Sequence, residues 1–286
     1  MMKASIKRLL PPPFKAKLEA IVQQPSLNYL RRTVHTYREW LWQSYPPKYQ
    51  VDHAALMPNF VQYEPLFESS ARNFATIVTP YVSEFKWSVG KLYNGAFVSI
   101  DPELYYSMVR HYRPNLIIEI GSGHSTHFAA DALQKNRAGR IISIDPEPRR
   151  TLPRGVEHIQ ARVEDVGRDI FANLHANDIL FIDSSHTAEE ARYHCQHILP
   201  GLHAGVILHH HDVTFPYDIY YGDDPSLFGE PDVLLDFYAA NRATFAILVC
   251  ASYVRYRDPQ LIRRLIKSYR WNTRRIPGSL WARKQT

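Results

Sequence analysis

Cysteine is scarce in this sequence, and long apolar runs are missing. Only Cys195 and Cys250 occur among 286 residues. Two cysteines this far apart match no zinc-ligand spacing and build no disulfide framework, which favours a reducing compartment. No run approaches the roughly 20 apolar residues of a membrane span. The basic N-terminus also lacks the apolar stretch of about 7–15 residues of a secretory signal. We therefore expect a cytoplasmic protein with no transmembrane segment.

Positive charge is concentrated at the two ends of the chain. The net charge is +6, but residues 1–50 carry nine Lys or Arg against two Glu, and residues 253–286 carry ten against one Asp. Basic ends could attract RNA, an anionic membrane or a phosphorylated substrate, whereas a solvated helical surface is the plainer interpretation. Because no recognisable RNA-binding module accompanies these ends, a nucleic-acid partner is not expected.

The texture of the sequence changes near residue 95. Before it, helical periodicity such as that of residues 26–42 predicts a helical extension or lid over residues 1–94. The stretch "DPELYYSMVRHY" predicts a helix with Asp101 as N-cap and Pro102 at its first helical position. Over residues 95–286, short apolar strands alternate with helical stretches, which is typical of a parallel sheet covered on both faces. The predicted fold class is α/β, a Rossmann-like doubly wound sheet.

In such a sheet, ligands bind beyond the carboxyl ends of the strands. The first predicted strand ends in "EIGSGHST", where Gly121 and Gly123 permit a tight turn and close approach of a ligand. Thr126 stands where a dinucleotide motif has its third glycine, and Glu119 would repel a polyphosphate. The second strand ends in Asp145, which can accept the hydroxyls of a ribose or serve an Asp–Pro turn. Together the two strand ends predict a nucleoside ligand.

The third and fourth strand ends add further candidates. Glu164 or Asp165 could reach an adenine amino group, or could simply be an acid in the first turn of a helix over residues 163–174. The fourth strand, "LFIDSSH", brings Asp183 to the ligand edge, where it is a candidate contact of the cofactor as well as of a metal or a substrate. His186 could act there as a general base near its unperturbed pKa, or could be a solvated residue after a serine cap.

The fifth strand ends in three consecutive histidines, in "VILHHHDVTFPYD". Side chains alternate along a strand, so His209 and His211 share one face and His210 lies on the other. Only His211 and Asp212 are expected to reach the open edge, with the other two histidines as buried support. We expect strands four and five to be neighbours, in which case Asp183, His211 and Asp212 could hold a divalent cation. Mixed oxygen and imidazole ligands suit Mn, Fe or Zn better than Mg.

These motifs resemble those of the class I S-adenosylmethionine-dependent methyltransferases. "EIGSGHST" resembles their glycine-rich first motif, "ISIDPEP" their acidic second motif and "ILFIDSSH" their fourth. The run "LFIDSSH…LPGLHAGVILHHHDVTFPYD" and the closing "PGSLWARK" are similar to methyltransferase domain family 24. The resemblance covers about residues 94–286 and implies a seven-stranded sheet whose last strand is antiparallel.

The resemblance also implies roles for the site residues. It makes S-adenosylmethionine the cofactor, with Asp145 on its ribose. The residues implied on its methionine side are Glu119, Gly121, Ser122, Gly123 and Ser125. Catechol O-methyltransferase-like relatives hold a metal with an acid after strand four and an Asp–Asn pair after strand five. Mapping that pattern gives Asp183, His211 and Asp212 as metal ligands and places His186 where the relatives have a lysine base. The two histidines depart from that pattern.

The expected activity is methylation of a small-molecule hydroxyl, such as that of a natural product or a sugar, with assistance by a divalent metal as an option. Asp183, His186 and His211 are the expected catalytic residues, and the loop over residues 217–232 is the expected cover of the acceptor. An RNA methyltransferase, a non-catalytic cofactor-binding partner protein and an NAD-linked oxidoreductase remain alternatives. The assembly is open between a monomer and a homo-oligomer.

Overall fold

The computed structural model describes residues 54–92, 94, 96–98, 100–219, 228–271 and 275–286. The helix predicted over residues 26–42 lies outside the described residues, as does the centre of the predicted cover loop, residues 220–227. The division of the chain near residue 95 stays a prediction.

A seven-stranded sheet forms the centre of the part of the chain that the structure describes. Its strands are β1 Leu116–Ile120, β2 Arg140–Ile144, β3 Glu157–Ile159, β4 Ile179–Ile182, β5 Ile207–His210, β6 Phe245–Cys250 and β7 Leu280–Lys284. Their order across the sheet is β3-β2-β1-β4-β5-β7-β6. Neighbouring strands among β1 to β5 pair in parallel, and β7 is antiparallel to both β5 and β6. The predicted Rossmann-like α/β sheet with an antiparallel last strand is confirmed.

Helices cover both faces of this sheet. The helices of the described residues are α1 Ser70–Val78, α2 Val89–Leu92, α3 Asp101–Tyr112, α4 His124–Asn136, α5 Ala188–Tyr193, α6 Glu230–Ala240, α7 Ala251–Arg257 and α8 Pro259–Leu265. A π-helical segment, His194–Ile198, continues α5. The helix predicted over residues 163–174 is instead two short 3-10 segments, Val163–Asp165 and Arg168–Asn173. The extended backbone of Gly167 separates them.

The strands are buried on both faces, which explains their nearly continuous apolar sequences. Ile118 and Leu180 belong to the core on one side of the sheet, and Ile117, Phe181 and Trp281 belong to the core on the other. Successive residues of a strand point to opposite faces, so one apolar run supplies both cores. The carboxyl ends of β1, β2, β4 and β5 are thereby held side by side at one edge.

Asp101 opens α3 but does not cap it, so its predicted role as N-cap is wrong. The cap position is Ile100, and Pro102 is the second residue of the helix, one place later than predicted. The carboxylate of Asp101 instead accepts hydrogen bonds from the backbone N–H groups of Gly278 at 3.2 Å and Ser279 at 3.0 Å. Buried backbone N–H groups need a hydrogen-bond acceptor. Asp101, at the start of α3, supplies that acceptor for the two residues that precede β7.

Among the helices of the described residues, none combines the length and the apolar composition that crossing a bilayer requires.

Candidate active site

A cavity of about 330 Å³ opens at the carboxyl ends of β1, β2 and β4. Small-molecule and cofactor sites typically have volumes of about 300–1,000 Å³. The predicted cofactor residues that line this cavity are Gly121, Ser122, Gly123, Ser125, Asp145, Glu164 and Asp183. The structure therefore brings seven of the eight predicted residues together around one space.

The glycine turn packs directly on the end of β4. Gly121 has φ +82°, and a Cβ added there would lie 1.8 Å from the carbonyl oxygen of Asp183. Only glycine combines this left-handed backbone with so close an approach. The turn thus connects the first strand end with the fourth, which carries Asp183.

Asp145 is held rigidly at the cavity wall. Its Oδ2 accepts hydrogen bonds from the backbone N–H of Ser122 at 2.7 Å and from the Ser122 hydroxyl at 3.0 Å. Its Oδ1 accepts one from the backbone N–H of Glu147 at 2.8 Å. Donors to a charged acceptor make the stronger class of hydrogen bond, so the carboxylate has a fixed orientation.

Glu119 is the one predicted cofactor residue that does not line the cavity. It is fully buried, and its Oε1 accepts a hydrogen bond from the hydroxyl of Tyr105 at 3.0 Å. Burial raises the pKa of this carboxyl to about 7, because removal from water disfavours the charged form. Its implied contact with the methionine side of the cofactor stays a prediction.

Four ionisable side chains meet beside the cavity, at the ends of β4 and β5. These strands are neighbours as predicted, with Ile182 opposite His210. The Nε2 of His186 lies 3.4 Å from Asp183 Oδ1 and 3.6 Å from Asp212 Oδ2. The Nδ1 of His211 lies 3.4 Å from Asp183 Oδ1 and 3.5 Å from Asp212 Oδ1. We call these four residues, Asp183, His186, His211 and Asp212, the Asp–His cluster.

Each histidine of the Asp–His cluster has a buried carboxylate behind it. Glu230 Oε2 lies 2.8 Å from His186 Nδ1, and Asp101 Oδ2 lies 3.8 Å from His211 Nε2. Neither acid was predicted to belong to the site. Both stand in the first turn of a helix, α3 or α6, where an acid is common for reasons of helix stability alone. The sequence therefore carries no signal that singles them out.

Charge balance in the Asp–His cluster shifts its pKa values strongly. Burial opposes protonation of His186, but its hydrogen bonds to Asp183 and Glu230 raise its pKa well above the usual value. Burial acts the same way on His211, where Asp212 and Asp183 raise the pKa well above the usual value. Burial would raise the pKa of Asp183, yet His211 and His186 hold it well below the usual range. The cluster thus favours an ionised Asp183 with cationic histidines beside it.

Two members of the Asp–His cluster have left-handed backbones. The φ angle is 59° at His186 and 55° at Asp212. Such conformations cost non-glycine residues on the order of 1–3 kcal/mol each and persist where the surrounding structure enforces them. Gly278 packs against the second one, since a Cβ added at Gly278 would lie 2.9 Å from the Cα of Asp212. The helix after His186 begins with Thr187 as its cap, not with one of the preceding serines.

His209 and His210 are buried support, as predicted from strand alternation. The His209 ring stacks on Phe181 with 4.0 Å between ring centroids, and its Nε2 lies 3.2 Å from the hydroxyl of Ser279. On the other face, the Nε2 of His210 shares a 3.0 Å hydrogen bond with the hydroxyl of Tyr238. Burial lowers the pKa of His210 to about 3, so this imidazole is neutral near pH 7.

The Asp–His cluster has donors that fit a divalent cation. Asp183, His186 and Asp212 each offer one ligand atom, and these three atoms lie within 4.8 Å of one another. This group contains His186 in place of the predicted ligand His211, whose Nδ1 faces the same two carboxylates. Two carboxylates and an imidazole are a donor set that divalent transition metals accept.

The fold and the strand-end site define a Rossmann-like α/β protein with a nucleoside-sized cavity. Residues 118–213 match the family model described as "Methyltransferase domain". The matched segment contains the glycine turn, Asp145, Asp183 and the histidine run of β5. The predicted resemblance to methyltransferases is thereby confirmed over this segment.

One curated relative is an uncharacterized protein of Archaeoglobus fulgidus, which is 39% identical over 94 residues. The aligned segment is 30% of this chain and 42% of that protein, so the likeness covers less than half of the relative's length.

Two solved structures of O-methyltransferases resemble the chain in fold. One is an enzyme of Streptomyces achromogenes involved in tomaymycin synthesis, in complex with S-adenosylmethionine. It is 15% identical to this chain, the alignment covers 77% of this chain and 100% of that enzyme's chain, and the TM-score is 0.43. The other, from Bacillus cereus in complex with S-adenosylhomocysteine, is 13% identical, covers 76% and 100%, and has a TM-score of 0.44. The observed strand order, rather than these scores, defines the fold here.

Proposed function

We propose that the protein transfers a methyl group from S-adenosylmethionine to the hydroxyl of a small molecule. The observation that carries the proposal is the position of Asp183. This residue lines the cavity and also belongs to the Asp–His cluster, so the donor cavity and the acid–base groups share a wall. A methyl transfer requires this adjacency, because donor and acceptor must be aligned before they react.

The cavity residues fit the proposed cofactor. The carboxylate of Asp145, held by its hydrogen bonds at the cavity wall, is proposed to accept ribose hydroxyls, and Glu164, on the same wall, is proposed to contact the adenine. The turn at Gly121 and Gly123 and the side chains of Ser122 and Ser125 form the wall proposed for the methionine side. When bound, S-adenosylmethionine supplies an electrophilic methyl group on a positively charged sulfur.

The Asp–His cluster is proposed to orient the acceptor hydroxyl and to receive its proton. Asp183, His186 and His211 remain the proposed catalytic residues of this cluster. A divalent metal, when bound, would lower the pKa of the acceptor hydroxyl.

The domain division is part of the same proposal, with residues 95–286 as the methyltransferase domain and residues 1–94 as an extension or lid. Two hydrogen bonds support a role of the segment before residue 60 near the acceptor. The backbone N–H of Met57 donates to the carbonyl of Pro216 at 2.9 Å, and that of Asp218 donates to Ala55 at 2.9 Å. Residues 55–57 therefore pair with the segment that follows the histidine run.

Calorimetric titration with S-adenosylhomocysteine tests the cofactor. Asp145→Asn removes a charged acceptor from the cavity wall and is expected to weaken binding at least about tenfold, which corresponds to about 1.4 kcal/mol. Asp169→Asn, on the exposed 3-10 segment Arg168–Asn173, is the matched control and should bind like the wild type. Absence of binding to the wild type would contradict the proposal.

Transfer of isotope-labelled methyl groups to a panel of hydroxyl compounds tests the reaction. Cofactor binding without product on any member would favour the non-catalytic partner protein. Methylation of tRNA or rRNA with strongly salt-dependent affinity would favour the RNA enzyme. Binding of a nicotinamide nucleotide in place of the sulfonium cofactor would favour the oxidoreductase.

A further inference from the structure

We propose that Asp183, His186 and Asp212 form a binding site for a divalent transition-metal ion, in which Glu230 positions the imidazole of His186. The inference deepens the proposed function, since the ion would lie beside the donor cavity and act on the acceptor hydroxyl. It assigns His186 as a ligand, where the sequence suggested a base, and removes His211 from the ligand set.

The distances between ligand atoms match a metal site. Two ligand atoms at bond lengths of about 2.1 Å and tetrahedral angles lie roughly 3.4 Å apart. The Nε2 of His186 lies 3.4 Å from Asp183 Oδ1 and 3.6 Å from Asp212 Oδ2. All three ligand atoms lie within 4.8 Å of one another. Small side-chain adjustments therefore suffice to close this triangle around an ion.

His211 provides an independent sign that a group belongs between the carboxylates. It is 3% exposed, and within the described part of the chain neither of its ring nitrogens makes a hydrogen bond of normal geometry. Its Nδ1 is aimed at the same two acids, at 3.4 Å and 3.5 Å. A buried polar atom without such a bond is costly, so its orientation points to a further group between the two carboxylates; an oxygen atom in the hydration shell of the proposed ion would serve His211 without making it a ligand.

Glu230 distinguishes the two histidines. Metal-bound histidines almost always donate their second ring N–H to a carboxylate, a carbonyl or water, which fixes the ring and its tautomer. The 2.8 Å contact between Glu230 Oε2 and His186 Nδ1 has this geometry. The other ring nitrogen, Nε2, then faces Asp183 and Asp212. His211 has no equivalent, because Asp101 is 3.8 Å away and accepts the backbone N–H groups of Gly278 and Ser279.

The backbone adds a third observation. His186 and Asp212, two of the three proposed ligands, have the left-handed φ angles of 59° and 55°. Strained positions of this kind concentrate at ligand and active sites. The donor set selects the class of ion: Mg²⁺ prefers oxygen ligands, whereas two carboxylates with one imidazole suit Mn²⁺, Fe²⁺, Co²⁺ or Zn²⁺.

The test is equilibrium metal binding, measured on full-length protein without a histidine tag after treatment with a chelator. Calorimetry with Mn²⁺ and the electron paramagnetic resonance signal of free Mn²⁺ report the stoichiometry and the affinity. We expect one Mn²⁺ to bind per chain and the affinity for Mg²⁺ to be at least tenfold lower than that for Mn²⁺. His186→Asn, chosen because asparagine tolerates a left-handed backbone, should weaken the binding of Mn²⁺ at least about 100-fold. Glu230→Gln should weaken it about 10–100-fold.

Two variants serve as matched controls. His211→Asn removes the other histidine of the Asp–His cluster and should change Mn²⁺ affinity no more than about threefold. Asp236→Asn lies on the exposed face of α6, the helix that also carries Glu230, and should have no effect. If Glu230→Gln does not fold, the increase of the wild-type melting temperature by Mn²⁺, absent in Asp212→Asn, tests the same ligand set.

Three results would overturn the assignment: no stoichiometric Mn²⁺ or Zn²⁺ in the wild type, loss of binding in His211→Asn with retention in His186→Asn, or wild-type affinity in a folded Glu230→Gln. Neither His186 nor Glu230 lines the cofactor cavity, so their variants should keep the wild-type affinity for S-adenosylhomocysteine. Metal binding without S-adenosylhomocysteine binding would contradict the proposed function alone. The reverse outcome would contradict the metal site alone.

Discussion

Glu119 is expected to make the stability of the cofactor-free protein depend on pH. The carboxyl is fully buried and accepts a hydrogen bond from the hydroxyl of Tyr105 at 3.0 Å. Burial raises its pKa from the ordinary 4.5 to about 7. The folded state therefore holds the proton more tightly than the unfolded chain does. The resulting stabilisation is fully present below pH 4.5 and is lost as the pH rises through about 7.

The size of the effect follows from the two pKa values. The two pKa values differ by about 2.5, which corresponds to about 3 kcal/mol, because a pKa difference of one is a tenfold change in the proton dissociation constant and about 1.36 kcal/mol. No reduction for solvent screening applies, because the side chain is 0% exposed. Glu119→Gln keeps an oxygen that can accept the Tyr105 hydrogen bond and removes the titration. Relative to this variant, the wild type should lose about 3 kcal/mol of unfolding free energy between pH 4 and pH 8.

Urea unfolding of both proteins at several pH values between 4 and 8 measures this difference. Other groups titrate in the same window, so the quantity to follow is the free energy of the wild type minus that of Glu119→Gln at each pH. Parallel curves for the two proteins would refute the reasoning, because they would mean that the folded and unfolded pKa values of Glu119 are alike.

Two further substitutions test the architecture around the site. Gly121→Ala should abolish S-adenosylhomocysteine binding and lower the melting temperature, because its Cβ would lie 1.8 Å from the carbonyl oxygen of Asp183. Gly167→Ala is the control: its Cβ would meet nothing within 4 Å, so this variant should bind the cofactor product like the wild type in the same titration. Tyr238→Phe leaves the buried Nε2 of His210 without its 3.0 Å partner and should cost about 1–3 kcal/mol in urea unfolding, with unchanged cofactor affinity. Weakened cofactor binding in this variant would show that His210 does more than support the strand.

The sheet was predictable from the sequence because its strands carry nearly continuous apolar runs between helical stretches. The short segments after β3 were not, since an acidic amphipathic pattern over residues 163–174 suits a helix until Gly167 interrupts it. Asp101 is a second residue whose role could not be predicted from the local sequence. Its place before Pro102 indicates a helix cap, but the N–H groups of Gly278 and Ser279, about 177 residues away, take its carboxylate.

The sequence by itself determined which side chains lie at the ligand edge. Strand alternation separates His210 from His209 and His211, and parallel pairing places Asp183 beside the end of β5. Only the tertiary structure decided how the two site histidines differ. Glu230, 44 residues from His186, reaches its Nδ1 at 2.8 Å, while Asp101 stops at 3.8 Å from His211. Both acids lie in the first turns of helices, where local sequence favours an acid whatever it contacts. Their roles depend on how α3 and α6 pack against the sheet, which the pattern of either helix does not encode.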